Sequence, residues 1–150
     1  QEDWDYIEKE IKAVCEASHS YGALIKVIFE IDFLQDDNHK KMLCRICSAA
    51  GVDFVKTSTG YGFVKGEDGK YSYEGATDHD LKLMRQHSAD TVQVKAAGGV
   101  RTLDDLLAVK ALGVTRVGAT ATIAILEAAR QRFDGSDGTQ GVPQQDVPGY

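Results

Sequence analysis

The chain has 150 residues, of which 43% are hydrophobic and 27% are charged, and its net charge is −6. This is the composition of one globular domain with a sizeable core, because a chain of this length buries roughly 70% of its unfolded surface. The acidic balance argues against nucleic acid and anionic membranes as partners. No apolar run approaches the roughly 20 residues of a membrane-spanning helix. The chain starts without methionine inside a predicted helix, so we expect it to be part of a longer protein.

The three cysteines predict no disulfide framework. Cys44 and Cys47 form a CxxC pattern, but this pattern lies in a helical segment without a second ligand pair nearby. We interpret them as small apolar residues one helical turn apart. Free thiols are typical of the cytoplasm. The four histidines show no spacing that would put them on one face with carboxylates, so no metal site is predicted.

Helices and strands alternate along the chain. Helical periodicity predicts a helix over 4–20 and another over 36–50, the latter with Met42 on its inner face. The nearly continuous apolar run over 23–29 is typical of a buried parallel strand. The remaining predicted elements are a strand over 53–57, a helix starting at Thr77, a strand over 91–96, a helix from Thr102 to Gly113 with Ala111 inward, a strand over 115–118 and a helix over 120–133.

Two segments fall outside this alternation. Residues 60–75 form a connection that is long for an α/β unit, and such loops are usually functional. Residues 134–150 hold both prolines and four glycines, so we expect a flexible C-terminal tail after a catalytic domain over 1–133.

Strands that alternate with helices predict a parallel sheet with right-handed crossovers. Four such units can form a small doubly wound open sheet or half of a (β/α)8 barrel. The spacing alone does not choose between these two closures.

Two lysines lie at equivalent points of consecutive predicted strands. Lys56 and Lys95 each end a β-branched run and are followed by small residues. Side chains alternate along a strand, so both lysines face the same side of the sheet. Burial and a neighbouring ammonium both lower the pKa of a lysine, and a neutral amine is what Schiff-base chemistry requires. The alternative is that one or both lysines reach solvent at the strand end.

Glycine-rich turns follow these strands and lead into helices. Gly98 and Gly99 follow the third strand, and Gly118 to Thr120 connect the fourth strand to the last helix. Backbone N–H groups at helix N-termini bind phosphate, although glycines also mark ordinary turns.

Three segments together resemble the deoxyribose-phosphate aldolase family, whose fold is a (β/α)8 barrel. They are VKTSTGYG over 55–62, VKAAGGVRT over 94–102 and RVGAT over 116–120, and the similarity extends from about Leu24 to Arg130. The resemblance implies the C-terminal half of that barrel, with four strands and five helices. It also implies reversible cleavage of 2-deoxyribose 5-phosphate to acetaldehyde and glyceraldehyde 3-phosphate, as a step of deoxyribonucleotide catabolism, without a metal or other cofactor.

The resemblance also assigns site residues. Lys56 falls on the lysine that forms the Schiff base, and Lys95 on the neighbour that lowers its pKa. Lys26 and Tyr150 are further candidates, the latter as the terminal tyrosine that some members carry near the site. The family's phosphate contacts fall on Gly60, Gly98, Gly99, Gly118 and Thr120.

The chain departs from the family pattern in three places. Tyr61 stands where some members have a lysine, and the 60–75 loop is longer than in compact members. Strands one to four have no counterpart, so the aspartate of the proton relay is missing. Glu30 and Asp32 are candidates to replace it; otherwise we expect them to be solvated acids at a strand end.

A half-barrel has two open sheet edges, which favour pairing with another chain. We therefore expect a homo-oligomer or a separate N-terminal half as partner, with a sugar phosphate as ligand. Two alternatives to this enzyme remain open: a noncatalytic phosphosugar-binding or assembly fragment, and a Schiff-base aldolase for another sugar phosphate.

Overall fold

The computed structural model of the chain describes residues 2–134. The predicted C-terminal tail beyond Asp134, and with it Tyr150, lies outside the described residues. The elements are α1 (Trp4–Ser20), β1 (Lys26–Ile28), α2 (Asp37–Ala50), β2 (Phe54–Lys56), β3 (Val64–Lys65), β4 (Tyr71–Ser72), α3 (Asp78–His87), β5 (Gln93–Ala97), α4 (Leu103–Ala111), β6 (Val114–Gly118) and α5 (Thr122–Phe133).

Four helices begin at residues whose side chains accept a hydrogen bond from the first turn. Asp3, Asp36 and Thr77 cap α1, α2 and α3 in this way. Thr102 caps α4, and Asp105 completes a capping box with it. Such caps satisfy N–H groups that have no partner within the helix, which explains why these helices start where the sequence predicts.

The order of the strands decides between the two closures left open by the sequence. β1, β2, β5 and β6 form one parallel sheet, and each strand pairs with the next in that order. A doubly wound sheet reverses its strand order at a switch point, and this sheet has no reversal. The architecture is therefore half of a (β/α)8 barrel, as expected from the resemblance.

The core lies between the outer face of the sheet and the helices. Val55 of β2 and Val94 of β5 are completely buried there. They belong to one apolar cluster with Cys44, Leu81 and Met84 of α2 and α3. Because residues alternate along a strand, burial of Val55 and Val94 leaves Lys56 and Lys95 on the opposite, interior face.

The interior face carries a buried aromatic ring covered by cations. Phe54 is 1% exposed. The ammonium of Lys26 lies 5.4 Å from its ring centroid, and the guanidinium of Arg116 lies 4.6 Å from it. Cation–π contact and the apolar stems of these long side chains explain how a ring on this face is removed from water.

Two sequence expectations about packing are wrong. Met42 and Ala111 are exposed, whereas Lys40 and Val109 occupy the buried positions of α2 and α4. The 60–75 loop contains an antiparallel hairpin of β3 and β4, with Val64 opposite Ser72. Two-residue strands are too short for the alternation by which a strand is recognised in sequence.

Within residues 2–134, no helix combines the length and the hydropathy of a membrane span.

Candidate active site

Lys56 and Lys95 lie side by side at the C-terminal ends of their strands. They are register partners across the β2–β5 pair, and both are half-buried. Lys95 lies close to Gly118, since a Cβ added there would be in ordinary van der Waals contact with Cε of Lys95, at 3.6 Å. Two ammonium groups on neighbouring strands are in a position to repel each other.

The surroundings of Lys56 favour its neutral amine. Burial and the positive charge of Lys95 lower the pKa of Lys56, and the negative charge of Glu30 opposes them only in part. Its Nζ donates a hydrogen bond to the Ser58 carbonyl at 2.5 Å. A lysine with a lowered pKa carries more of the nucleophilic form near neutral pH, which is the requirement for attack on a carbonyl.

Glu30 is held by the turn that follows Lys56. Its Oε1 accepts from Ser58 Oγ at 2.7 Å, and its Oε2 accepts from Thr59 Oγ1 at 2.6 Å. Burial raises the pKa of Glu30. The hydrogen bonds from Thr59 and Ser58 and the charge of Lys56 together outweigh burial, so the pKa lies below its normal value. Glu30 is therefore ionised at neutral pH and poorly suited to donate a proton.

Asp32 holds the other end of the same loop. Its Oδ1 accepts from Glu74 N at 2.5 Å, and its Oδ2 accepts from Gly75 N at 3.2 Å. The expectation that Glu30 and Asp32 are solvated strand-end acids is thus wrong. Both carboxylates are used to fix the loop that connects β2 to α3.

A cavity of about 290 Å³ lies beside the lysines and is lined by the glycine turns. The structure brings together there all five residues that the resemblance assigns to phosphate: Gly60, Gly98, Gly99, Gly118 and Thr120. Neither lysine lines the cavity, but Lys95 packs against Gly118 at its wall. The dimensions and backbone-rich lining suit a small anionic group.

Gly98 is where the two loops of this cavity meet. Its φ is +86°, and a Cβ built on it would lie 2.9 Å from Cα of Gly75 and 3.2 Å from the ring of Tyr73. Ala76 N also donates to the Gly98 carbonyl at 3.2 Å. Only glycine allows this backbone conformation together with this approach.

Arg101 and Tyr73 line the cavity as well, and sequence reasoning did not single them out. Arg101 comes two residues after the double-glycine turn. A cation so close to a glycine turn is a pattern from which the sequence could have indicated this residue as part of an anion site. Tyr73 belongs to the long loop, where its ring meets that of Phe63 edge-on at 5.1 Å. Tyr73 approaches Gly98 because the hairpin folds the loop back, and no local pattern in the sequence indicates this contact.

Lys26 is not a register partner of either lysine of the pair. It is opposite Phe54 in the β1–β2 register, two residues before the position opposite Lys56. Its ammonium is over the Phe54 ring.

One group of possible metal ligands contradicts the expectation from histidine spacing. Ligand atoms of Asp37, His79 and Asp80 lie within 4.8 Å of one another. Two of these carboxylates already bind the Lys40 ammonium, with Asp80 Oδ1 at 2.5 Å and Asp37 Oδ1 at 3.3 Å. The ammonium of Lys40 thus neutralises part of the negative charge of this cluster. Lys40 of α2 and Asp80 of α3 are both buried, so their ion pair links the two helices.

Comparison with known proteins agrees with the architecture. No family model matches the chain. A deoxyribose-phosphate aldolase of Rhodopirellula baltica is 54% identical over 130 residues, which are 87% of this chain and 49% of that protein. A deoxyribose-phosphate aldolase of Clostridium perfringens is 46% identical over 125 residues, which are 83% and 50% of the two chains.

Solved structures give the same result. An aldolase named QR15 matches with a TM-score of 0.75 and 29% identity, over 91% of this chain and 56% of that one. The deoxyribose phosphate aldolase of Aeropyrum pernix, described as a unique tetramer, matches with a TM-score of 0.70 and 25% identity over 86% and 51%. This chain spans about half the length of the curated relatives it matches. Over the half of those proteins that it spans, this chain is similar in both sequence and fold to deoxyribose-phosphate aldolases.

Proposed function

We propose that this chain carries the Schiff-base lysine and the phosphate site of a class I aldolase acting on 2-deoxyribose 5-phosphate. The observation that carries the proposal is the pairing of Lys56 with Lys95 next to the glycine-lined cavity. The curated relatives are named deoxyribose-phosphate aldolases, and these names supply the substrate.

Lys56 would act as the nucleophile. Its neutral amine attacks the aldehyde carbon of the open-chain sugar, and loss of water leaves a protonated imine. The proton relay then removes the proton of the C3 hydroxyl as the C2–C3 bond breaks and its electron pair moves into the imine, so that glyceraldehyde 3-phosphate leaves and an enamine remains on Lys56. Protonation of the enamine and hydrolysis release acetaldehyde and restore the amine. The imine itself accepts the electron pair, so the residues need no further cofactor for this step.

The cavity would hold the phosphate. Backbone N–H groups of the glycine turns and the charge of Arg101 oppose the unfavourable field of an acidic chain. Fixing the phosphate places the other end of the sugar toward the lysines, and such positioning lowers the barrier by holding the reacting atoms together.

The proton relay would be completed by another chain. Glu30 and Asp32 are both engaged with backbone or hydroxyl groups, and neither is free to act as the relay acid. We therefore expect imine formation by this chain alone, and turnover when a second copy or an N-terminal half covers the interior face.

Borohydride trapping tests this proposal. Reduction in the presence of acetaldehyde should replace one hydrogen of the protein with one ethyl group, read by intact mass, and peptide mapping should place that group on Lys56. Lys56→Ala should abolish the adduct, whereas Lys65→Ala, a change in an exposed lysine of the hairpin, should not. An adduct that persists in Lys56→Ala would refute the assignment.

Lys95→Met tests the role of the neighbouring charge. Removing this charge should raise the pKa of Lys56, because the repulsion that disfavours its ammonium is lost. Trapping should then slow at neutral pH and recover at higher pH. Identical pH profiles of wild type and variant would remove this role from Lys95.

A further inference from the structure

Glu30 has an unusual backbone conformation at the end of β1. Its φ is +51°, and among the described residues it is the one non-glycine residue with a positive φ. L residues adopt this region at an energetic cost, and such residues gather at functional sites. The strained backbone directs the carboxylate across to the neighbouring loop rather than into solvent.

The Glu30 carboxylate binds Ser58 and Thr59, the second and third residues after Lys56. Both oxygens accept from Thr59 N, at 3.1 and 3.3 Å, in addition to the hydroxyl groups of Ser58 and Thr59. The Ser58 hydroxyl in turn accepts from Gly60 N at 3.0 Å. Glu30 thereby fixes a turn whose Ser58 carbonyl receives the Lys56 ammonium.

The loop leaves a place for this carboxylate. A Cβ added to Gly62 would lie 2.6 Å from Oε1 of Glu30. Glycine at this position lets the chain pass directly over Glu30, so the strand end, the turn and the returning loop are packed around one acidic group.

We propose that Glu30 is a positioning residue for Lys56, which acts by holding the Ser58–Thr59 turn against the end of β1 and by placing one negative charge near the lysine. The inference rests on the proposed function, in which Lys56 is the nucleophile. It assigns Glu30 no proton transfer and no contact with substrate.

The charged groups around Lys56 define what Glu30 contributes. Lys95 on β5 lowers the pKa of Lys56, and Glu30 raises it. The two other cations of this face, Lys26 on β1 and Arg116 on β6, lie over the Phe54 ring. Glu30 therefore moderates the repulsion within the lysine pair and keeps the ammonium of Lys56 directed at the Ser58 carbonyl.

Competitive acetylation measures this effect without requiring aldolase activity. The protein is labelled with acetic anhydride at a series of pH values, and the peptide carrying Lys56 is quantified by mass spectrometry with exposed Lys70 as reference. Glu30→Gln keeps the side-chain size and one acceptor oxygen but removes the charge, so the labelling midpoint of Lys56 should move to lower pH. Glu74→Gln removes a charge from the same loop and should leave the midpoint unchanged. An unchanged midpoint in folded Glu30→Gln would overturn the proposal.

Glu30→Asp tests the clamp separately and serves if Glu30→Gln does not fold. The shorter side chain keeps the charge but does not reach both Ser58 and Thr59. We expect a midpoint nearer to that of wild type and a several-fold lower rate of acetaldehyde trapping. Trapping at the wild-type rate would overturn the positioning role. If wild type forms no adduct at all, the proposed function fails, while the labelling midpoints still decide on Glu30.

Discussion

Replacing Gly98 with alanine should destabilise the protein through two separable effects. The first is backbone strain, because an L residue in the left-handed region costs about 1–2 kcal/mol. The second is overlap of the new Cβ with Gly75, whose Cα would be only 2.9 Å away. Forcing an extra methyl group into a packed site costs about 1–3 kcal/mol. The expected loss in free energy of unfolding is thus about 2–5 kcal/mol, measured by urea titration.

Gly60→Ala is the matched control for the first effect. Gly60 has the same φ of +86°, but a Cβ there meets nothing within 4 Å. Its loss should be about 1–2 kcal/mol. The difference between the two variants therefore isolates the approach of Gly75 to Gly98. Equal losses in both variants would show that the two loops do not meet as the structure has them.

Three further perturbations address the ion pairs and the cavity. Lys40→Met leaves the Asp80 carboxylate buried without its ammonium and should lower the free energy of unfolding by about 3–5 kcal/mol. The control variant Lys41→Met should change this free energy little. A loss below about 1 kcal/mol in Lys40→Met would contradict burial of the Lys40–Asp80 pair. Burial raises the pKa of Asp53, but hydrogen bonds from His19 and Ile25 N outweigh burial, so the folded pKa lies below the normal value. The stabilisation that Asp53 gives to the folded state is therefore present above its unfolded pKa of about 3.9 and is lost as the pH falls through the lower folded pKa. The stability difference between wild type and Asp53→Asn should shrink over that range, and a constant difference would refute the pair. Arg101→Met should weaken inorganic phosphate binding roughly 10- to 100-fold by calorimetry, since a hydrogen bond to a charged group contributes about 1.5–3 kcal/mol; an affinity equal to that of an Arg130→Met control would remove Arg101 from the site.

Local patterns were sufficient to predict most elements of this protein. Caps such as Thr77 and Thr102 act within one helical turn, so the sequence contains the whole interaction. The alternation of strand residues likewise put Lys56 and Lys95 on one face, and the β2–β5 register pairs them. The Gly98–Gly99 turn was recognisable because its two positive φ values favour glycine.

Contacts between distant residues decided the rest. Strand order excludes the doubly wound sheet, and this order depends on hydrogen bonds between segments that no local pattern specifies. Burial of Lys40 depends on Asp80, 40 positions along the chain. The burial of Phe54 depends on cations from two other strands.

The acids after β1 show the same division most clearly. Sequence alone determined that Glu30 and Asp32 stand at a strand end, where both solvated groups and proton donors are common. Only the tertiary structure shows that each carboxylate accepts hydrogen bonds from one end of the loop after Lys56. The physical reason is that a carboxylate withdrawn from water costs free energy unless hydrogen-bond donors replace the water. For Glu30 and Asp32 these donors lie 28 to 43 residues away in the sequence, where no local pattern reveals them.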